Sequence, residues 1–292
     1  MEGKKPRKKG LIIATALIVV IIIAAGAVYW YTLPPPTVRI SLGCGVVGGE
    51  SILAGSALAK IVRQYYPNIE MTAEVTTSYV DNVKLLNAKK VSMIALSAET
   101  IDMGIKGEGP FKDLGKTDMR LLFQWITYSV QVVTLKGAPI NSPEDLKGKK
   151  VSVGGVGSTH YVCAQQLLEA YGMTMNDIKP YYTPVTEAAD ALRDGLIDAV
   201  IYLGSRTPAI VELATARDIK LISLSDAALS RVIAKYTYYI VANIPAGSYK
   251  GTEMAKTFGS HAFWCVAPGF DEELAYKITK AIYEHIDEFF SI

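Results

Sequence analysis

Cysteine and histidine are scarce in this chain of 292 residues, with three of each. Cys44, Cys163 and Cys265 lie far apart, form no C-x-x-C pair and leave an odd count. That excludes a disulfide framework and leaves buried apolar thiols, with one chance bridge as the alternative. His160, His261 and His285 show no ligand spacing such as H-x-x-x-H, so no metal site is expected. G-x-S-x-G, S-x-x-K and a Walker loop are missing too, and with them the common signatures of acyl transfer and nucleotide hydrolysis. A surplus of positive charge is lacking once the first ten residues are set aside. They hold five of the 30 Lys+Arg and one of the 28 Asp+Glu, which leaves 25 against 27, a net charge of −2. A nucleic-acid partner therefore has no support. No cofactor is expected, and low-complexity tracts do not occur.

Only one long apolar run is present. Residues 1–10 read as a basic cytoplasmic tail, and Leu11–Trp30 carries no charge. Twenty residues rise about 30 Å as a helix, enough to span a bilayer. Tyr29, Trp30 and Tyr31 stand where an interfacial aromatic belt belongs, and the basic flank orients the N-terminus inward. Residues 11–31 are thus read as a transmembrane anchor. A cleaved signal peptide is the alternative, since Ala25-Gly26-Ala27 fits a cleavage site. Either way, the remainder lies outside the cytoplasm: on the membrane if anchored, secreted or periplasmic if cleaved. Residues 32–37, with Pro34-Pro35-Pro36, form a stiff linker.

Two glycine-rich turns follow strands. In the first, Val38, Ile40 and Leu42 alternate with polar or small residues. Gly43, Gly45, Gly48 and Gly49 follow, and a helix begins near Ser51. In the second, the strand Lys150–Val153 runs through Gly154-Gly155-Val156-Gly157-Ser158-Thr159 into a helix over Tyr161–Tyr171. The first amides of such helices have no internal partner, and the dipole favours an anion there. Two such seats point to one ligand held between two α/β units. Gly43–Gly48 also spells G-x-G-x-x-G, with Glu70 and Glu74 near the distance of a ribose-binding acid. Dinucleotide binding, anion binding and a merely tight turn all stay open for it.

The rest alternates. Strands are expected at Ile69–Val75, Met93–Leu96, Leu121–Ile126, Val130–Leu135, Lys179–Tyr182, Ile197–Leu203, Leu221–Leu224, Tyr238–Ala242 and Ala262–Val266. Helices are expected at Ser78–Lys89, Ala98–Lys106, Glu187–Asp194 capped by Thr186, Pro208–Ala216, from Asp226, and as one long stretch over Asp271–Phe290. Such alternation calls for α/β architecture with mostly parallel sheets and right-handed crossovers. Thr127-Tyr128-Ser129 is a candidate crossing between domains, with a return near Tyr238–Ala242. The lobes would then be 38–127 plus 240–292, and 128–239. Tyr202 and Arg206 sit at a strand end, where open α/β sheets bind ligands.

Gly43–Gly55, Ser78–Asn82, Asp145–Ser158 and Asp194–Ala199 resemble the TAXI-type solute receptors of TRAP transporters, in the right order and over nearly all of Val38–Phe290. The resemblance implies a two-lobed type II periplasmic-binding-protein fold, each lobe a mostly parallel sheet flanked by helices, behind one N-terminal transmembrane helix. It implies no enzyme, but a receptor that captures a small organic acid or amino acid and delivers it to an ion-driven membrane permease. By motif, the site would draw on Gly48, Gly49, Ser78, Asn82, Gly157, Ser158, Thr159 and Tyr202, with Glu50, Ser51, His160 and Arg206 beside them. Ser158 and Asn82 would contact the ligand from opposite lobes without supporting the fold. A fold-related enzyme and an anchored ligand-sensing module are the alternatives.

Two departures stand out. Where the family's turn continues G-G-T-Y-Y, this chain has Gly48-Gly49-Glu50-Ser51-Ile52. Glu50 either satisfies its helix end or points into the cleft, where it would favour an ammonium group or a cation over a plain dicarboxylate. The family also carries a further C-terminal helical segment with a histidine motif, so this sequence is read as truncated or reduced.

Overall fold

A computed structural model describes residues 7–33, 36–47 and 49–291, and within the N-terminal helix the side chains of 15–26 and 29–30. Residues 1–6, Pro34, Pro35, Gly48 and Ile292 lie outside them, and with these most of the expected basic tail and part of the linker. The chain forms two compact units, residues 1–38 and 39–292. In the first, helix α1 runs over Arg7–Thr32. Among the described residues no helix is long and apolar enough to cross a membrane. The expected span at 11–31 includes side chains that are not described.

The second unit is an α/β fold of two lobes on one sheet. In chain order the elements are β1 Val38–Gly45, α2 Glu50–Tyr65, β2 Ile69–Val75, α3 Tyr79–Asn87, β3 Met93–Ser97 and α4 Ala98–Lys106. Next come the long β4 Arg120–Leu135, β5 Lys150–Ser152, α5 Thr159–Ala170, β6 Lys179–Tyr181, α6 Val185–Arg193 and β7 Ala199–Gly204. The remainder is α7 Pro208–Ala216, β8 Ile219–Leu221, α8 Asp226–Lys235, β9 Tyr239–Ile244, β10 Ala255–Val266, α9 Glu272–Glu284 and α10 Ile286–Phe290.

The sheet order is β2-β1-β3-β10-β4-β7-β5-β6, with β8 on β4 and β9 on β10. The flanks are parallel as expected, β1 with β3 and β5 with both β6 and β7. The centre is not. β10 and β4 run antiparallel to their neighbours and to each other, so the expected mostly parallel pairing holds on the flanks but not at the centre. These two strands are also longer than their sequence patterns indicate. Thr127-Tyr128-Ser129 does not interrupt β4 but pairs with His261, Ser260 and Gly259 of β10. Tyr128 is buried, so its polar neighbours do not mark a loop. The β10 ladder slips in register at Ala262/Phe263 and Trp264/Cys265. Such irregularities bend a strand and raise its twist, as strands shared by two lobes require.

Helix α2 shows why these segments fold as they do. Ala54, Ala57, Leu58, Ile61 and Val62 recur at helical spacing and are all buried. Each large apolar side chain buried this way contributes roughly 1.5–3 kcal/mol. Gly55 lets the helix approach β1 closely, since a Cβ there would lie 2.5 Å from Cys44 Sγ. The three cysteines are free and buried. Burial pushes the Cys44 thiol up to about 12, so it behaves as an apolar residue.

Three local expectations are corrected. α6 begins at Val185 behind Pro184, so Thr186 lies inside the helix. Proline presets the backbone for a helix start. Strand β8 forms two residues earlier than its apolar run, because Ile219–Leu221 is what registers against Val133–Leu135. The long C-terminal helix is two helices, broken at His285, whose ring stacks on Tyr65 at 3.6 Å between centroids.

Candidate functional site

Between the lobes lies a cavity of about 220 Å³. The turn after β1 supplies Gly45, Val46, Gly49, Glu50 and Ser51, and the start of α3 supplies Ser78 and Tyr79. Tyr128 of β4 forms part of the wall. The other lobe contributes Ser158, Thr159 and His160 at the start of α5, Pro184 and Val185 at α6, and Tyr202, Gly204 and Thr207 from the β7–α7 turn. Five helices, α2, α3, α5, α6 and α7, thus begin at this one space. Their leading amides and dipoles favour an anion there without any cationic side chain. Among the described lining residues there is no lysine or arginine.

Local chemistry fixes each start. Ser78 caps α3 by accepting from the Asp81 amide at 3.1 Å, and Ser158 caps α5 by accepting from the Tyr161 amide at 3.3 Å. Gly154 carries φ of +76°, and a Cβ there would lie 2.6 Å from His160 Cβ. Only glycine permits both the turn and the approach of His160. Burial lowers the His160 pKa, against the raising effect of a hydrogen bond to the Leu203 backbone, so the ring is held toward its neutral form. It packs edge-on to Tyr202 at 6.3 Å.

Several polar side chains of the wall are paired, with one another or with residues just behind them. Tyr79 and Tyr128 share a hydroxyl–hydroxyl bond of 2.9 Å, and Thr159 meets Thr100 of α4 at 3.1 Å. Tyr202 and Tyr249 bond at 2.7 Å, and the Tyr249 hydroxyl reaches the Ser205 carbonyl at 2.8 Å. Gln131 donates to the carbonyls of Gly204 and Ser205 at 3.1 and 2.7 Å, which holds the β7–α7 turn in shape.

Of the residues expected from sequence, Gly49, Glu50, Ser51, Ser78, Ser158, Thr159, His160 and Tyr202 line the cavity. Gly48 lies outside the described residues. Gly157 does not line it and serves the turn, with φ of +78°. Arg206 is exposed and points elsewhere than the lining. Asn82 corrects a second expectation, because it is fully buried and structural. Its Nδ2 donates to the carbonyls of Gly43, Cys44 and Ala95 at 3.0, 3.3 and 3.0 Å, and its Oδ1 accepts from Thr76 at 2.6 Å.

Glu50 lines the cleft, as one of its two readings has it, but not in the role expected there. It opens α2, yet its carboxylate neither caps that helix nor stands free for a cation. Both oxygens accept from Ser205 of the opposite lobe, and one of them also from Thr207. Burial raises the carboxyl pKa, against the lowering effect of those donors. The dinucleotide pattern dissolves as well: Gly43 and Gly45 lie within β1, and Glu70 accepts from Arg39 at 3.3 Å. Among the described residues no cluster of His, Cys, Asp or Glu could hold a metal. Tyr79, Tyr128, Ser205, Thr207 and Tyr249 escaped the sequence reading. Of these only Thr207, a cap-type residue before Pro208, carried a local signal.

Solved structures share this architecture at low identity. The periplasmic aliphatic sulphonate binding protein SsuA from Escherichia coli is 16% identical, with a TM-score of 0.54 over 88% of this chain and 73% of that one. A putative L-cystine ABC transporter protein from Listeria monocytogenes is 15% identical, at 0.54 over 86% and 91%. An ABC uptake transporter substrate-binding protein from Streptococcus pneumoniae with bound histidine is 14% identical, at 0.54 over 86% and 87%. At such identity these likenesses establish the two-lobed binding-protein fold alone. Residues 42–292, from the middle of β1 through the last helix, match the NMT1-like family, to which this chain belongs.

Proposed function

We propose that the protein is an extracytoplasmic solute receptor that closes its two lobes around one small ligand and hands it to a membrane permease. The observation that carries this reading is the cavity itself, enclosed between lobes by the starts of five helices. A carboxylate of a small organic acid or amino acid would accept from the leading amides of α2 and α5, and the apolar wall and tyrosine rings would take its body. The site residues would be Gly49, Ser51, Ser78, Ser158, Thr159, His160 and Tyr202. Hinge points at 127–129 of β4 and 259–261 of β10, where the two strands pass between lobes, would carry the closure.

The motif resemblance favours a TRAP-type, ion-driven permease of the TAXI class. An ABC-type permease is the second reading, favoured by the names of the structural neighbours. Residues 11–31 would tether the receptor to the membrane, on the strength of their uncharged sequence and basic flank. Thermal-shift screening of the full chain in detergent against organic acids, amino acids and sulfonates tests the receptor reading. A small acid or amino acid should raise the melting temperature and bind one per chain by calorimetry. Turnover of a bound compound, or a cofactor absorbance in purified protein, would replace it with an enzyme. Co-purification with one permease class decides between the two transport readings.

A further inference from the structure

One polar contact crosses the cleft between protein groups alone. Helix α2 belongs to the lobe built on β1 and β3, and the turn Ser205-Arg206-Thr207 to the lobe built on β7 and β5. Glu50 bridges them over 155 residues of chain. Its Oε1 accepts from the Ser205 amide and from Thr207 Oγ1, both at 3.0 Å. Its Oε2 accepts from Ser205 Oγ at 2.7 Å and from the same amide at 3.3 Å. The donors are held in place beforehand, since Gln131 and Tyr249 both donate to the Ser205 carbonyl. The carboxylate therefore meets a rigid set of three donors. Bonds of this charge-assisted kind are about twice as strong as neutral ones.

We infer that Glu50 is an interlobe latch, a positioning residue whose carboxylate holds the two lobes together before any solute arrives. Closure is then partly prepaid, and the ligand is selected by its fit to a preformed cavity rather than by attraction to Glu50. Solutes need carry no positive group to satisfy this acid, because Ser205 and Thr207 already do. This rests on the receptor reading only for what the closure encloses. The latch itself is read from the distance between lobes.

The test uses spin labels on the full chain in lipid nanodiscs, at Leu53→Cys near the start of α2 and Glu187→Cys near the start of α6. Both positions are exposed, and the three native thiols are buried. With no solute added, the otherwise unaltered protein should give one narrow, short separation. Glu50→Gln places an amide donor against the Ser205 and Thr207 donors. It should add a longer separation and raise the open-to-closed ratio about tenfold or more. Ser205→Ala with Thr207→Val removes the side-chain donors from the other lobe and should reproduce that shift. If Glu50→Gln fails to fold, as judged by circular dichroism, the double variant decides alone. The same narrow separation in the folded variants, or a broad open distribution before mutation, overturns the latch. Failure of every solute to bind would strike the receptor reading and leave the distance result intact.

Discussion

Asn82 and Ser158 occupy similar places in the motif pattern and do different work. The Asn82 side chain joins β1, β3 and Thr76 through four hydrogen bonds, with no exposure to solvent. Asn82→Ala would leave three buried carbonyls short of a donor, so a stability loss of about 2–4 kcal/mol is expected in urea denaturation. Ser158→Ala removes one cap bond, and the same measurement should show about 1 kcal/mol. A smaller loss for Asn82→Ala than for Ser158→Ala would contradict the buried network. Glu99, at the start of α4, is wholly buried and accepts from the Ser260 hydroxyl. Burial raises its carboxyl above the ordinary 4.5, against the lowering effect of Ser260 and Ser97. A raised folded pKa means that its stabilising contribution is complete below about 4.5 and is lost as pH rises through the folded value. Cys163, Tyr238 and Tyr239 face the same region but are pushed upward by burial, away from that window. Glu99→Gln should therefore flatten the decline of the melting temperature with pH above 4.5 relative to the unaltered protein. Parallel curves for the two would refute it.

At the scale of elements, the long pair β4 and β10 decides the architecture. Gly259 sits where the two strands cross between lobes, paired with Ser129. A Cβ at Gly259 would lie 2.5 Å from the Tyr128 carbonyl oxygen, a backbone atom that cannot swing aside. Gly259→Ala should cost about 1–3 kcal/mol by calorimetric unfolding. It should also weaken the protection of Tyr128 and Ser129 amides in hydrogen exchange. Unchanged protection would show that the crossing tolerates a side chain. The helices were more legible than these strands. Ala98–Lys106 and Pro208–Ala216 match their sequence-derived bounds because capping residues, glycine and proline act within a few residues of the helix end. Strand length instead depends on a partner from elsewhere in the chain, and neither Tyr128 nor Gly259 announces one.

For the whole molecule, the α/β alternation, the buried thiols and the position of the two glycine turns follow from composition and periodicity. Both lobes pack into one continuous apolar cluster reaching from Leu58 and Ile61 of α2 to Leu167 of α5 and Phe258 of β10. Opening the cleft therefore must bend the strands between the lobes rather than separate two independent cores. Any displacement on ligand binding should concentrate at 127–129 and 259–261, which amide exchange with and without a bound solute would show. Protection changes spread evenly over β4 and β10 would argue against a hinge there.

Local patterns by themselves determined the element types and most helix starts, and with the motif resemblance they named twelve site residues of which eight line the cavity, because capping, glycine turns and apolar period are short-range properties. Tertiary structure alone decided that Asn82 is a structural tie, that Arg206 faces solvent, and that Tyr79 meets Tyr128. It alone decided that Glu50 reaches Ser205 and Thr207. Those outcomes depend on which backbone and side-chain groups arrive from as far as 157 residues away. A side chain's neighbours at that separation are set by the packing of the sheet, and the sequence around the residue carries no trace of them.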